Sequence, residues 1–462
     1  MQTGRRPRNG CLSSALGVGR LPVWATFIIP RYYMRTIFKI YFIWPMNAKV
    51  LGIIVAVVVV IIAVSAIYLA QRGAASPQTS AQVSPTGSAS ASSTSRGAIY
   101  VIYDIGGRGD LSFNDMAYLG ASRAAKDFGL QLVELQSKTQ DDYLPNLRLA
   151  AKSNPTLVVA VGFLMTDAVK EAAKEYPNVH FAIIDGYVPN MSNVLSIQFR
   201  ENEGSALVGA LAALTAYYFN CTKVGIVLGM DIPVLWKFEI GYAYGVRWAQ
   251  RYIADHFGKN VTFTIYYVYT GSFNDPAKGK QAAQAMLAQG VCVIYQAAGA
   301  TGLGVFDAVA EAGQAAGRTM GPPFAIGVDA DQDYIKPGFI LASMMKRVDV
   351  AVYRAAQMAA SGNFSGGVLS LGLKEGGVAV STLDDLNQFL QLGIQAGTVK
   401  ASDAQQIVQK VQQMRQSIPQ WIWQAVDQLR QGIVSGKVQV PLPTTREQLL
   451  QYRQQLGLVG SG

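Results

Sequence analysis

Between Asp104 and Asp115 the chain reads Asp-Ile-Gly-Gly-Arg-Gly-Asp-Leu-Ser-Phe-Asn-Asp, which gathers three carboxylates, one amide and one aromatic ring into a short segment. Its glycines, Gly106, Gly107 and Gly109, let the backbone turn tightly or approach a bound molecule. Acceptors beside an aromatic face suit a flat, polar ligand, and the carboxylates argue against phosphate. The string Ser-Phe-Asn-Asp returns at Ser272 to Asp275, within Gly271 to Pro276, so Phe113 has a counterpart in Phe273. Two matching aromatic loops predict a clamp on a flat ligand. Arg108 has no role in this reading.

These loops need strands to aim them. Short β-branched runs are predicted as strands at Ala98 to Tyr103, Leu130 to Leu135, Thr156 to Val161, His180 to Asp185, Lys223 to Leu228, Val261 to Val268, Val291 to Gln296 and Phe324 to Val328. Between them, stretches such as Thr166 to Glu175, Glu203 to Tyr217, Pro276 to Gln289 and Gly302 to Ala316 carry apolar residues at helical spacing. Such alternation predicts an α/β fold of βαβ units, and its length predicts two doubly wound parallel-sheet lobes with a cleft between them. Ligands of open α/β sheets bind beyond the carboxyl ends of strands. Polar residues recur at those ends, in Gly162-Phe163, Asp185-Gly186, Gly299 to Gly302 and Asp329-Ala-Asp331. Any one aspartate there serves a helix cap as readily as a ligand; the recurrence favours a ligand.

The net charge of +10 comes entirely from the segment before Ala98, which holds no Asp or Glu; the remainder balances 29 basic against 29 acidic residues. A neutral body offers no general case for nucleic-acid binding. Residues Val50 to Ala70 carry no charge and are long enough to cross a hydrocarbon core of about 30 Å as a helix. Basic residues precede this span, and a Ser/Thr/Ala/Pro-rich tether runs from Gly73 to Ser95, so the rest of the chain is expected outside the cell. Cleavage near Val64-Ser65-Ala66 is the alternative. Met46-Asn-Ala-Lys49 has the form of a basic n-region, which puts residues 1–45 outside the expected mature protein.

Cys11, Cys221 and Cys292 are too few and scattered for a metal site or a disulfide framework, and Cys292 is expected as a small buried hydrophobe in its strand. His180 and His256 belong to no metal-ligand motif. No metal, cofactor or nucleophile set emerges. Sequons at Asn190, Asn220, Asn260 and Asn363 are compatible with an exposed domain.

The chain resembles the basic membrane protein family of ABC-transporter substrate-binding proteins, whose known members include purine nucleoside receptors. The resemblance covers Ala98 to Leu373 and returns at Gly432 to Leu449. It rests on the Asp104 to Asp115 loop, Phe199-Arg-Glu-Asn-Glu-Gly-Ser205, Gly229-Met-Asp-Ile-Pro233 with Phe238 and Gly241, Gly271 to Lys280, and Gly327 to Asp331 with Lys346. It implies a type I periplasmic-binding fold, two lobes joined by a hinge and closing on a nucleoside. In that picture Phe113 and Phe273 sandwich the base, and Asp104, Asn114 and Asp115 hydrogen-bond the base or sugar. Asp185 and Asp329 accept from ribose hydroxyls beside Lys346, with Gly162, Phe238 and Gly299 lining the site. Read alone, Lys346 also has a plainer alternative, a surface charge on a helix following Met345.

Two features depart from the family pattern: the Arg108-Gly-Asp110-Leu111 turn, and a transmembrane anchor in place of a lipidated cysteine, which suits an archaeal cell. The resulting map places lobe one at about 98–222 and lobe two at about 223–324, with the chain crossing back after 325. A Gln-rich helical insertion follows at 381–431, where Trp421 and Trp423 are expected to pack on a lobe, and a closing strand at Val434 to Pro441. The implied function is nucleoside capture for ABC permease subunits. The alternatives are a sugar or other metabolite as ligand, a sensory ectodomain, and, as the competing class, an enzyme using paired aspartates.

Overall fold

The computed structural model of the chain describes residues 97–460. The expected basic leader, membrane span and Ser-rich tether lie outside the described residues. Among the described residues no helix is long and apolar enough to cross a membrane.

The chain begins with β1 (Ala98–Tyr103), α1 (Phe113–Phe128), β2 (Gln131–Gln136), α2 (Tyr143–Lys152), β3 (Leu157–Val161), α3 (Thr166–Glu175), β4 (Phe181–Ile184) and β5 (Val194–Phe199). It continues through α4 (Glu201–Tyr218), β6 (Lys223–Leu228), α5 (Pro233–Phe257), β7 (Thr264–Tyr269), α6 (Pro276–Ala288), β8 (Val293–Ala297), α7 (Thr301–Ala315), β9 (Phe324–Asp329) and β10 (Ile340–Lys346). The remainder is α8 (Val348–Ala360), β11 (Gly367–Leu371), β12 (Val378–Val380), α9 (Leu383–Gln395), α10 (Ala404–Ser417), α11 (Gln420–Val434), α12 (Arg446–Leu456) and β13 (Leu458–Gly460).

Two sheets result, ordered β11-β5-β4-β3-β1-β2 and β12-β10-β9-β8-β6-β7-β13. Every pairing is parallel except β10 with β12. Strands such as β3, Leu-Val-Val-Ala-Val, are buried along their whole length, as parallel strands with both faces covered must be. In the second sheet α4 and α5 pack closely because glycines face backbone. A Cβ on Gly245 would sit 2.0 Å from Ala206 O, and one on Gly209 would sit 2.1 Å from Tyr242 O. That contact holds the middle of α5, whose amino end borders the cleft through Val234, Leu235 and Phe238.

The chain passes between the sheets three times: at Arg200, after Lys346, and between Leu371 and Val378. Arg200 Nε pairs with Glu203 at 2.6 Å, and its guanidinium also meets Glu375, tying the first passage to the third. The expected lobe boundaries are therefore corrected. Helix α4 packs on the second sheet, so the first lobe ends near Phe199 rather than at 222, and β9 and β10 keep the chain in the second lobe beyond 325. Only then does α8 return to pack on α1, with β11 pairing with β5. Beyond its first turn α4 is apolar on nearly every side, so it shows no stripe that tells which sheet it covers.

Two further expectations change. Val434 ends α11, and the segment to Pro441 joins no sheet; the closing strand is β13, paired with β7. Cys221 and Cys292 form a disulfide. Each stands just ahead of one of the neighbouring strands β6 and β8, whose pairing of Val224 with Val293 brings the cysteines together, so Cys292 is not a free buried thiol. In the Gln-rich segment Trp421 is half-buried, edge-on to Phe257 with ring centroids 5.0 Å apart, and Trp423 lies near Arg415.

Candidate ligand-binding site

Between the carboxyl ends of the two sheets lies a cavity enclosing about 600 Å³ of atom-free space, its mouth included. Asp104, Phe113, Asn114, Gly162, Asp185, Phe238, Phe273, Gly299, Asp329 and Lys346 line it, together with Asp110, Phe163, Leu164 and an apolar wall of Ile232, Val234 and Leu235. Ten expected residues thus meet in one place. Asp115 does not: its carboxylate accepts from Gly109 N at 3.1 Å and Leu111 N at 2.9 Å and pairs with Arg108. It braces the loop from behind. Arg108, stacked 3.7 Å from the Tyr118 ring centroid and 3.0 Å from Glu134, is the outer half of that brace.

The first loop is held mainly by its own acids. Asp110 accepts from the backbone N–H groups of Ser112, Asn114 and Asp115 at 2.9–3.1 Å, which satisfies free donors at the start of α1. Burial, with Asp115 nearby, pushes its carboxyl up to about 7. Asp104 accepts from Gly106 N at 2.8 Å and from Asn114 Nδ2 at 2.9 Å. Phe113, the first residue of α1, stays half-buried on the cavity. On the opposite loop Phe273 is seated by Gly229, where a Cβ would come within 2.2 Å of its ring.

At the other end, Lys346 closes β10 with 1 % of its surface exposed, which replaces the alternative of a surface charge on a helix. Its Nζ donates to Asp185 Oδ2 at 2.6 Å and lies 2.9 Å from Glu201 Oε1. Burial lowers the pKa of this ammonium, but Asp185, Glu201 and Asp329 outweigh it and hold the group charged. Burial raises the carboxyl of Asp185 despite Lys346, and raises that of Asp329 to about 6. Ser112 Oγ donates to Asp329 Oδ2 at 2.7 Å across the cleft. Asp185 follows β4 and Asp329 ends β9, at φ 68° and 65°, a left-handed conformation uncommon for non-glycine residues. Asp185 Oδ1 and Asn114 Oδ1 are buried without a hydrogen-bond partner among the described residues.

Sequence reasoning missed Glu201 as part of this cluster, although it quoted the Phe199 to Ser205 motif. Glu201 is fully buried and also meets Lys237 at 3.0 Å. A glutamate opening an apolar helix reads as an ordinary first-turn acid, because its basic partners are distant in sequence.

Comparison with known proteins agrees with this fold. Residues 98–412 match the family model described as ABC transporter substrate-binding protein PnrA-like. An uncharacterized lipoprotein of Pyrococcus abyssi is 40 % identical over 361 residues, which cover 78 % of this chain and 87 % of the relative. The ABC transporter nucleoside-binding protein BmpA of Lactococcus lactis is 34 % identical over 292 residues, covering 60 % of this chain and 79 % of that one. An ABC transporter solute-binding protein of Aeropyrum pernix superposes with a TM-score of 0.71 at 38 % identity, over 78 % of this chain and 97 % of that one. With two parallel sheets around a polar and aromatic cleft, and with that match over most of its length, the chain belongs to the family of PnrA-like ABC transporter substrate-binding proteins.

Proposed function

We propose that the protein captures a purine nucleoside in this cavity and presents it to an ABC permease. One observation carries the reading: Phe113 and Phe273, from loops of the two different sheets, border one cavity that ends in Lys346, Asp185 and Asp329. Stacking a base on an aromatic ring contributes about 1 to 3 kcal/mol. The buried carboxylates offer charge-assisted acceptors to ribose hydroxyls, and Lys346 offsets part of their charge. Asp104, Asp185, Glu201 and Asp329 outnumber the lysines beside them, which disfavours phosphorylated nucleotides. The relative from Lactococcus lactis, which bears nucleoside binding in its name, supports the same ligand class.

The binding domain works outside the cytoplasm in this reading. A disulfide between Cys221 and Cys292 fits an oxidising compartment. Attachment runs through the apolar segment 50–70, since the remaining cysteine, Cys11, precedes that segment instead of following it as a lipid-bearing residue does.

Calorimetric titration of the full-length protein with adenosine, guanosine, inosine, uridine, free bases and ribose tests the proposal. Purine nucleosides should bind and ribose should not; binding of ribose alone would overturn it. Phe113→Ala and Phe273→Ala should each weaken nucleoside binding about tenfold or more, the scale of lost stacking. Their melting temperatures should stay close to that of the parent; a large drop would make both rings core residues.

A further inference from the structure

Four segments read Asn-x-Ser/Thr with no proline in the middle: Asn190-Met-Ser192, Asn220-Cys-Thr222, Asn260-Val-Thr262 and Asn363-Phe-Ser365. In each, the fold leaves both the asparagine and the hydroxyl residue exposed, outside any helix or strand. The buried asparagines Asn114, Asn193 and Asn202, which hold the fold through side-chain hydrogen bonds, carry no such motif. Exposed Asn154 is followed by Pro155, which disqualifies it.

Their placement says more than their number. Asn190 precedes β5 and Asn363 precedes β11, and these strands pair from Leu195 with Gly367. Asn220 precedes β6 and Asn260 precedes β7, which pair from Lys223 with Thr264. Each lobe therefore sets two motifs side by side at the amino ends of neighbouring strands, whereas the cavity lies at the carboxyl ends. On the cavity side, Asn114 and Asn274 have Met116 and Pro276 where a hydroxyl residue would be needed. Turn geometry accounts for part of the pattern: Asn190 and Asn220 sit at φ 61° and 57°, where asparagine is tolerated. It does not account for Asn260 or Asn363, nor for the hydroxyls of Ser192, Thr222 and Thr262, which make no side-chain hydrogen bond among the described residues.

Resting on the reading that this domain lies outside the cytoplasm, we infer that the amino-end face of both lobes carries N-linked glycans. At each site Nδ2 bonds to the anomeric carbon of an oligosaccharide carried on a lipid phosphate. The sugar–phosphate C–O bond breaks, the lipid phosphate leaves, and the amide gives up one proton. Bulky, hydrated sugars then cover the face away from the cleft and leave the cavity mouth open.

The test is mass spectrometry of proteolytic peptides from the full-length protein purified from its own cells, with the state of Cys221 and Cys292 read in the same digest. Sugar should appear on at least one of Asn190 and Asn363 and on at least one of Asn220 and Asn260. A variant carrying Ser192→Ala, Thr222→Ala, Thr262→Ala and Ser365→Ala, made in the same cells, keeps every asparagine and should lose all of the sugar. Bare asparagines throughout either lobe, in protein whose cysteines are bridged, would overturn the inference and leave the extracytoplasmic reading intact; bare asparagines with free thiols would overturn both. Sugar on Asn114 or Asn274, or sugar retained by the variant, would also overturn it. If the variant does not fold, the peptides of the parent still decide the matter.

Discussion

Asp329 joins position, charge and pH in one side chain. It ends β9 in a left-handed conformation, accepts from Ser112 across the cleft, and is pushed by burial to a pKa of about 6 from an ordinary 3.8. A carboxyl raised in the folded state binds its proton more tightly there than in the unfolded chain. Its contribution to stability is therefore fully present below about pH 4 and is lost as pH rises through about 6. In the proposed nucleoside complex ligand binding runs the opposite way, because a ribose hydroxyl donating to Asp329 needs the ionised acceptor. Nucleoside affinity is expected to rise as pH increases from about 5 to about 7 and then level off, and Asp329→Asn should flatten that rise; calorimetry across this range checks both. Most of the candidate site was legible from residues, since Phe113 and Phe273 share a repeated Ser-Phe-Asn-Asp string and Asp185 and Asp329 stand at strand ends. Asp115 misled because it stands next to Asn114 in sequence, while the first turn of α1 aims the two side chains at different partners. Arg108 could not be placed because Glu134 and Tyr118, which hold it, lie on other elements.

Among the elements, β6 and β8 show what neighbouring strands do that neighbouring residues cannot. Their parallel register brings Cys221 and Cys292 into a bridge that closes a loop of 71 residues. In the chain-entropy account such a loop is worth about 4 kcal/mol of stability, chiefly by restricting the unfolded chain. Replacing both cysteines by alanine should lower stability to chemical denaturants by up to that amount and leave nucleoside affinity unchanged, because the bridge lies at the amino ends of the strands and the cavity at their carboxyl ends. Two cysteines far apart in sequence carry no sign of this pairing until strand order is known. The strands that sequence reading missed fail for a similar reason. Strand β10, Ile-Leu-Ala-Ser-Met-Met-Lys, has little β-branched character and owes its conformation to β9 on one side and β12 on the other. Its final residue, Lys346, could be assigned to the cavity only by resemblance to a family.

At the scale of the whole molecule, the two lobes already meet around the cavity. Besides Ser112 with Asp329, Gln332 Nε2 donates to Leu111 O at 3.0 Å, Asn274 Nδ2 donates to Ile105 O at 2.9 Å, and Lys346 reaches Asp185. The first loop therefore belongs to one sheet by chain and to both by hydrogen bonding, and a ligand contacting Phe113 and Phe273 together favours this closed arrangement. Two α/β lobes could be read from the alternation of strand and helix. The three passages between them could not, because they fall at Arg200, Arg347 and Gly372 to Gly377, where no change in composition marks them. The central claim is that a nucleoside lies between the lobes with its base between the two phenylalanines. A crystal structure of the full-length protein with guanosine tests it most directly. It should show the base between Phe113 and Phe273, its polar edge on Asp104 and Asn114, and the ribose on Asp185, Asp329 and Lys346; guanosine bound elsewhere, or with its base away from both rings, would contradict the account.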